Sequence, residues 1–331
     1  MNTTSLNNIF LSFNNKVIVV IGDVMLDSYL WGSVNRISPE APVPVVSVNK
    51  KENRIGGAAN VALNIKKLGA MPIICSVIGN DENGKKFISR LKSNNLVYDN
   101  IIIDDNRLTT TKTRIISNNQ QIVRVDEETD EQISSIIEEK LLSKIQNTIN
   151  NYNVDAIIFE DYDKGIISKN LIDNVVSLAN KNNILISVDP KKKNFNNYKN
   201  ITMFKPNFKE LIEGLKLDID KNNIDKLPKL LTNLRNNNNI ESVLITLSEK
   251  GLIYQTNDST HKIPAMLRDI TDVSGAGDTV ISVATLCLCS GVSNENIAKI
   301  SNIAGGLVCE KVGVVPIDKN QLLDECLSVL T

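Results

Sequence analysis

Histidine is all but missing from this chain, with His261 alone among 331 residues. Chemistry that needs two imidazoles is thereby excluded, and a lone histidine in a predicted strand, far from any motif, reads as structural. Charge of one sign is missing too: 37 Lys and Arg stand against 38 Asp and Glu. That balance supplies no field for a nucleic-acid or membrane partner. Neither a signal peptide nor an apolar run long enough to span a bilayer is evident, so the expected location is cytoplasmic. The five cysteines (75, 287, 289, 309 and 326) lack metal-type or disulfide-type spacing, and 287 and 289 fall on different faces of a predicted helix. They are expected to be reduced core thiols. The Asn run 236–239 reads as a solvated turn. No linker interrupts the strand–helix alternation. A prior of about one domain per 150 residues suggests two, yet open α/β folds exceed that prior, and one domain over 1–331 is expected.

What is present is concentrated in two glycine-rich elements. The first, Asp272-Val273-Ser274-Gly275-Ala276-Gly277-Asp278-Thr279, runs into an apolar segment. The amides of a helix's first turn and the positive end of its dipole bind phosphate oxygens. Gly275, Ala276 and Gly277 let that backbone approach closely. A carboxylate at Asp278 would repel phosphate, but it suits a base taking a proton from a hydroxyl that attacks the phosphorus. The alternative is an ordinary helix-start Asp. The second element, 54–69, reads as a helix entered through Gly56-Gly57 and closed by Gly69, with Val61, Ile65 and Leu68 on one face. Asn60 offers both donor and acceptor to a polyol.

Two other motifs fail on inspection. Gly79 to Lys86 nearly spells a P-loop, but Lys86 stands where Ser or Thr must hold Mg²⁺, and Asp81 and Glu82 would repel phosphate. A dinucleotide reading of Gly275-x-Gly277 fails because Val280 occupies the third glycine position.

Together GGAANVALNIKKLG (56–69) and DVSGAGDTVISV (272–283) resemble the paired signatures of the ribokinase-like, or PfkB, carbohydrate kinases, in the right order and separation. The resemblance implies a doubly wound, mostly parallel α/β sheet flanked by helices, with a small β-sheet lid. It implies ATP and Mg²⁺ as cofactors, with Asn207 and Glu210 holding the metal–nucleotide through water. An equally available reading is Asn207 as helix N-cap with Glu210 completing a capping box. Thr246, Ser248 and Gly251 resemble the nucleotide-phosphate loop. Asn302, with Gly305 and Gly306, resembles part of the adenine pocket, although small residues there also permit close helix packing. The resemblance also implies Asp272 and Ser274 as candidates for a monovalent-cation site. On the acceptor side Asp27, Gly56, Gly57 and Asn60 are expected at the sugar.

Apolar patterning predicts strands at 16–21, 43–48, 110–117, 120–125, 155–159, 184–188, 201–204 and 242–246, and a hairpin of 252–255 with 261–263. Helices are predicted at 130–150, 168–181, 207–215 and 222–235, with a helical C-terminal part. Asn118-Asn119 is the expected turn between the paired lid strands. The lid is expected at about 30–50 and 107–126.

Finer segments resemble the heptose 7-phosphate kinases, the kinase module of bacterial ADP-heptose synthesis. They are 36–45, Lys112-Thr113-Arg114, 119–121 with Arg124-Val125-Asp126, Asp161-Tyr162-x-Lys164-Gly165 and Asp189-Pro190-Lys191. A remote phosphate on the sugar would suit cations at Lys112, Arg114, Arg124 and Lys164, with Asp161 also near substrate. The alternative for the lid cations is a solvated strand edge. Asp163 departs from the glycine usual in these kinases, and Ser274 from the usual Thr. The expectation is therefore an anomeric kinase for D-glycero-β-D-manno-heptose 7-phosphate. Kinases of fructose 1- or 6-phosphate, or a non-catalytic sugar-binding regulator, are the alternatives. One histidine excludes a His-x-Gly-His nucleotidyltransferase, so that step is expected from a separate chain, and a homodimer through the lid strands is expected.

Overall fold

In the computed structural model, which describes residues 2–118, 120–218 and 224–331, thirteen strands and ten α-helices are formed among the described residues. The strands are β1 (Val17–Gly22), β2 (Val24–Ile37), β3 (Pro44–Gly57), β4 (Met71–Gly79), β5 (Ile101–Asp104), β6 (Thr111–Ser117) and β7 (Gln120–Glu127), then β8 (Ala156–Glu160), β9 (Leu185–Asp189), β10 (Ile201–Phe204), β11 (Ile240–Thr246), β12 (Leu252–Gln255) and β13 (Thr260–Ile263). The helices are α1 (Thr3–Ser12), α2 (Ala58–Lys67), α3 (Glu82–Ser93), α4 (Ser135–Asn151) and α5 (Lys169–Lys181), then α6 (Phe208–Leu215), α7 (Leu227–Asn238), α8 (Ala276–Cys289), α9 (Asn294–Cys309) and α10 (Lys319–Leu330).

The main sheet has the order β13-β12-β11-β10-β9-β8-β1-β4-β5. Its members from β11 to β5 are parallel, and β12 and β13 add an antiparallel edge. Strand β1 shows why. Its Val-Ile-Val-Val-Ile run has no polar side because both faces are covered. Ile18 and Val20 pack into one core with α2, α8 and α9, while Val19 and Ile21 pack into a second with α4, α5 and α7. Helices thus lie on both faces, giving the doubly wound architecture expected.

The second sheet, β3-β2-β6-β7, pairs β2 with β3 and β6 with β7 antiparallel, and β2 with β6 parallel. It springs directly from the end of β1 and returns through β3 into α2, so β2 and β3 exceed the expected 30–50 at both ends. Most other boundaries fall within a residue or two of expectation. Helix α4 starts later than the expected 130 because Ser134 caps it, accepting from the Ile137 amide. Asn118 has φ of +50°, and Asn119 of the expected turn lies outside the described residues, as do 222 and 223 of the expected helix ahead of α7. The P-loop look-alike is a helix entry, in which Asp81 caps α3 by accepting from the Gly84 amide. All five cysteines are free thiols, Cys289 only half-buried. No helix among the described residues is long and apolar enough to cross a membrane.

Candidate active site

Parallel strands deliver side chains to the sheet's carboxyl edge, where ligands collect in open α/β folds. Here β8 ends on Glu160, β9 ends on Asp189 in register with it, and β10 leads into Lys205. Gly22, at the end of β1, pairs with Glu160. A Cβ at Gly22 would lie 1.9 Å from the Glu160 carbonyl oxygen, so only glycine fits. The following residue, Asp23, is buried and accepts from the amides of Tyr162 (2.8 Å), Lys164 (3.1 Å) and Ile166 (3.3 Å). Burial raises its pKa against those three donors. Its work is to shape the 162–166 loop and so to aim Tyr162.

Asp278 lies in the first turn of α8, behind Gly275, whose φ of +81° a side chain would resist. The carboxylate is 4% exposed, with Oδ2 accepting from Asn60 Nδ2 (2.7 Å) and Oδ1 from the Tyr162 hydroxyl (3.0 Å). Burial raises its pKa, Asp189 adds to the rise, and the Asn60 and Tyr162 hydrogen bonds and Lys205 oppose it. The donors favour the ionised form, which is the form a base requires. Asn60, expected at the sugar, therefore joins the two glycine elements by holding the base, while its Oδ1 is buried with no donor among the described residues.

Beside the α8 N-terminus, Lys205 is 2% exposed and its Nζ sits 2.7 Å from Asp189 Oδ2. Burial works against its charge, but Asp189 and Glu210 outweigh burial and its pKa rises. A Cβ on Gly277 would lie 3.5 Å from that ammonium, so the glycine opens the helix entrance to a cation as well as to amides. The expectation for Ala276 needs correction, because its amide turns back to the Val273 carbonyl (3.3 Å).

Asn207 and Glu210 form the capping box of α6: the Asn207 side chain accepts from the Glu210 amide (2.9 Å) and Glu210 Oε2 from the Asn207 amide (2.8 Å). Glu210 Oε1 also pairs with Lys191. Each oxygen retains a lone pair, so the pair fits a hydrated Mg²⁺ held through water. Thr246 is brought next to Asn207 by a parallel bridge, and the Thr246 amide donates to the Pro206 carbonyl (3.2 Å). Ser248 (φ +53°) and Gly251 (φ +84°) turn the chain after β11. Asn302 instead donates to the Pro264 carbonyl (2.9 Å), and a Cβ on Gly305 would lie 2.9 Å from Val280, so close helix packing accounts for that glycine. Both Asp272 oxygens accept backbone amides, from Ser274 and Gly313 (2.9 Å each).

On the acceptor side, Asp27 is 2% exposed and salt-bridged to Arg114. Burial raises its pKa and Arg114 opposes the rise. Gly56 is needed because a Cβ there would lie 2.2 Å from Asp27 Oδ2, and Gly57 (φ +59°) because its Cβ would lie 2.3 Å from the Asp23 carbonyl oxygen. The lid cations and Lys164 are paired with carboxylates of the same chain. Lys112 pairs with Asp126 (3.1 Å) and Glu128 (2.9 Å), Lys164 with Glu128 (2.7 Å), and Arg124 with Asp126 (2.9 Å). Asp161 also departs from expectation. It is 1% exposed and accepts from the Asp163 amide (2.9 Å), Asn194 (3.0 Å) and Tyr198 (2.8 Å), and burial, aided by Asp23, pushes its pKa to about 7. Those partners make it a structural acid of the loop. Glu160, Asp189, Lys205, Asp23 and Tyr162 received no role from sequence reasoning, although the first three each close an apolar run, which marks the end of a buried strand.

Among curated relatives, the bifunctional protein HldE of Sulfurimonas denitrificans is 39% identical over 316 residues, covering 95% of this chain and 65% of that protein. The bifunctional protein HldE of Helicobacter pylori is 41% identical over 298 residues, covering 90% of this chain and 64% of that one. The chain thus spans about 65% of the length of these relatives. Among solved structures, phosphofructokinase-2 from Escherichia coli in complex with potassium superposes with a TM-score of 0.78 at 17% identity, covering 96% of this chain and 99% of that one. Arabidopsis thaliana ribokinase complexed with ribose and ATP gives 0.70 at 16% identity, covering 94% and 98%. The fold is accordingly ribokinase-like. The model of the pfkB family carbohydrate kinases matches residues 15–320, and the chain belongs to that family as a sugar kinase.

Proposed function

We propose that this kinase moves the γ-phosphate of ATP to the anomeric hydroxyl of D-glycero-β-D-manno-heptose 7-phosphate, giving the 1,7-bisphosphate. The observation that carries the proposal is Asp278, buried, hydrogen-bonded by Asn60 and Tyr162, and set at a glycine-lined helix entrance beside Lys205. The similarity to HldE proteins along 95% of the chain supports the heptose phosphate as acceptor. Asp278 takes the O1 proton as the O1–phosphorus bond forms and the bond to the β-phosphate oxygen breaks, releasing ADP. The dipole of α8 and the Lys205 ammonium stabilise charge on the transferring group. Mg²⁺, held through water by Asn207 and Glu210, would neutralise phosphate charge when bound. Asn60 Oδ1, buried without a donor, would be satisfied by a sugar hydroxyl, and Asp27 with Gly56 and Gly57 would line the same side. Lys112 and Lys164 would hold the remote phosphate by exchanging Glu128 for it. Thr246, Ser248, Gly251 and Asn302 would flank the nucleotide.

Further parts of the reading are proposed with it: a cytoplasmic setting and a dimer through the lid. Val43, Val48, Ile122, Val123 and Val125, exposed on the lid strands or the turn between β2 and β3, support the dimer, which light scattering tests. The substrate is tested by ADP release across a panel containing heptose 7-phosphate, fructose 1-phosphate and fructose 6-phosphate. Turnover highest with the heptose is expected; none with it would reject the assignment.

A further inference from the structure

We propose that Arg54, with Tyr29, is a positioning residue for phosphoryl transfer. It braces the 312–314 segment and so holds the α8 entrance in register with the lid, a role that rests on the reading that nucleotide phosphates meet that entrance and not on which sugar is phosphorylated.

The brace begins in the pairing of the lid strands. β3 sets Arg54 directly opposite Asp27 of β2, and β6 sets Arg114 opposite Tyr29. Asp27 and Tyr29, two residues apart on one strand, share a face. Tyr29 is 1% exposed, and the guanidinium carbons of Arg54 and Arg114 lie 4.8 and 5.4 Å from its ring centroid. The Arg54 fork has three acceptors. Its Nε donates to Glu52 (2.7 Å), and its Nη1 donates to the carbonyls of Val312 (3.0 Å) and Val314 (3.2 Å). The Tyr29 hydroxyl accepts from the Val314 amide (3.3 Å). Two lid side chains thus grip three backbone groups of one segment.

Gly313 is fitted to that grip. A Cβ there would lie 2.8 Å from both Arg54 Nη1 and the Tyr29 hydroxyl oxygen, and its φ is +72°. From this segment the connection runs into the helix entrance. The Gly313 amide donates to one oxygen of Asp272, whose other oxygen accepts from the Ser274 amide. Val314 packs beside the entrance, 3.5 Å from where a Cβ on Gly275 would stand. Farther along, the Ile317 amide donates to Asn64 Oδ1 (2.8 Å), which also accepts from Thr279, the neighbour of the base. The segment is therefore held between the strand that carries Asp27 and the helix that carries Asp278. Arginine suits the task because its planar fork serves carbonyls, a carboxylate and an aromatic face together, which a compact ammonium does not. Reacting groups must keep a fixed relation, and small misplacements cost rate heavily.

Trp31, the sole tryptophan, stacks on Tyr29 with ring centroids 6.1 Å apart, so its emission reports on the brace. The test titrates the full chain with Mg·AMP-PNP in the absence of sugar, reading binding by calorimetry and Trp31 fluorescence in parallel. Wild-type emission is expected to change in step with binding. Arg54→Met keeps an apolar stem against Tyr29 and loses the donors. It should bind the nucleotide within a few-fold of wild type and lose most of the emission change. Its kcat with the fastest sugar phosphate of the panel should fall at least ~10-fold, with the KM for ATP little moved. Thermal melts confirm folding, and if Arg54→Met fails to fold, Tyr29→Phe, which keeps the stack on Trp31, decides on the same readouts. Wild-type emission unmoved by saturating nucleotide overturns the proposal. So does a folded variant with an undiminished emission change and kcat, since a merely structural Arg54 would lower only the melting temperature. No calorimetric binding to the wild type would instead overturn the reading of the α8 entrance and the brace with it, so the two failures are told apart.

Discussion

Replacing Tyr162 by Phe removes one atom from the site and changes the charge balance of the base. The hydroxyl donates to Asp278 Oδ1 at 3.0 Å, inside a region where Asp278 is 4% exposed. A hydrogen bond to an ionised group contributes about 1.5–3 kcal/mol. Only its difference between the ionised and protonated carboxyl affects the pKa, and about 1.4 kcal/mol corresponds to one unit. Since the bond favours the carboxylate, its loss pushes the already raised pKa of Asp278 further up. The acid limb of the kcat profile should therefore move by about one unit toward higher pH. At a pH below both limbs turnover falls roughly tenfold, and on the plateau it changes far less. The ring's other contact, Lys191 Nζ at 5.1 Å from its centroid, survives in Phe. The assay is ADP release at saturating sugar phosphate across the pH range. An unmoved acid limb, or one shifted to lower pH, would refute Asp278 as the group whose ionisation controls turnover.

Asp27 is buried and its partner Arg114 half-buried, so removing Arg114 strands the Asp27 charge; Arg114→Ala should lose about 3 kcal/mol in urea unfolding. In an Asp27→Asn background the same change should cost clearly less, and equal costs in both backgrounds would show the two side chains to be uncoupled. Asp161 titrates near 7 folded against an ordinary value of 3.8, so the folded chain keeps a proton that the unfolded chain loses between those values. Its contribution is therefore fully present below pH 4 and is lost as pH rises toward 7. Asp161→Asn removes that slope and should gain about 2–3 kcal/mol relative to wild type between pH 5 and pH 8. Urea curves at the two pH values check this, and a constant difference would refute it.

Most of the main sheet was legible because its strands are short, largely apolar runs between turn signals, as 155–159 and 184–188 show, whereas β4 and β5 were not among the predicted strands. The α8 entrance was legible because three small residues before an Asp have few other uses. What sequence spacing did not reveal was pairing. Lys112, Arg114 and Arg124 appear as a cationic row in one dimension, but β7 lays Asp126 opposite Lys112, and Glu128 follows it. Asn60 reads as a sugar ligand alone, and its hold on the base appears only when α2 and α8 pack together and place Asp278 against its Nδ2. Glu160, Asp189 and Lys205 lie far apart along the chain. Only the parallel order β8-β9-β10 makes them neighbours, and nothing local in their segments encodes that order. Asn207 and Glu210 carried two compatible meanings, and the capping box is the one the geometry displays.

The central claim is that the carboxylate of Asp278 accepts the sugar's proton. The measurement is single-turnover ADP formation by Asp278→Asn beside its ATP affinity, with a thermal melt to confirm folding. The account predicts a loss of at least ~10²-fold in the chemical step with ATP binding nearly intact. A folded variant that turns over within a few-fold of wild type would contradict it.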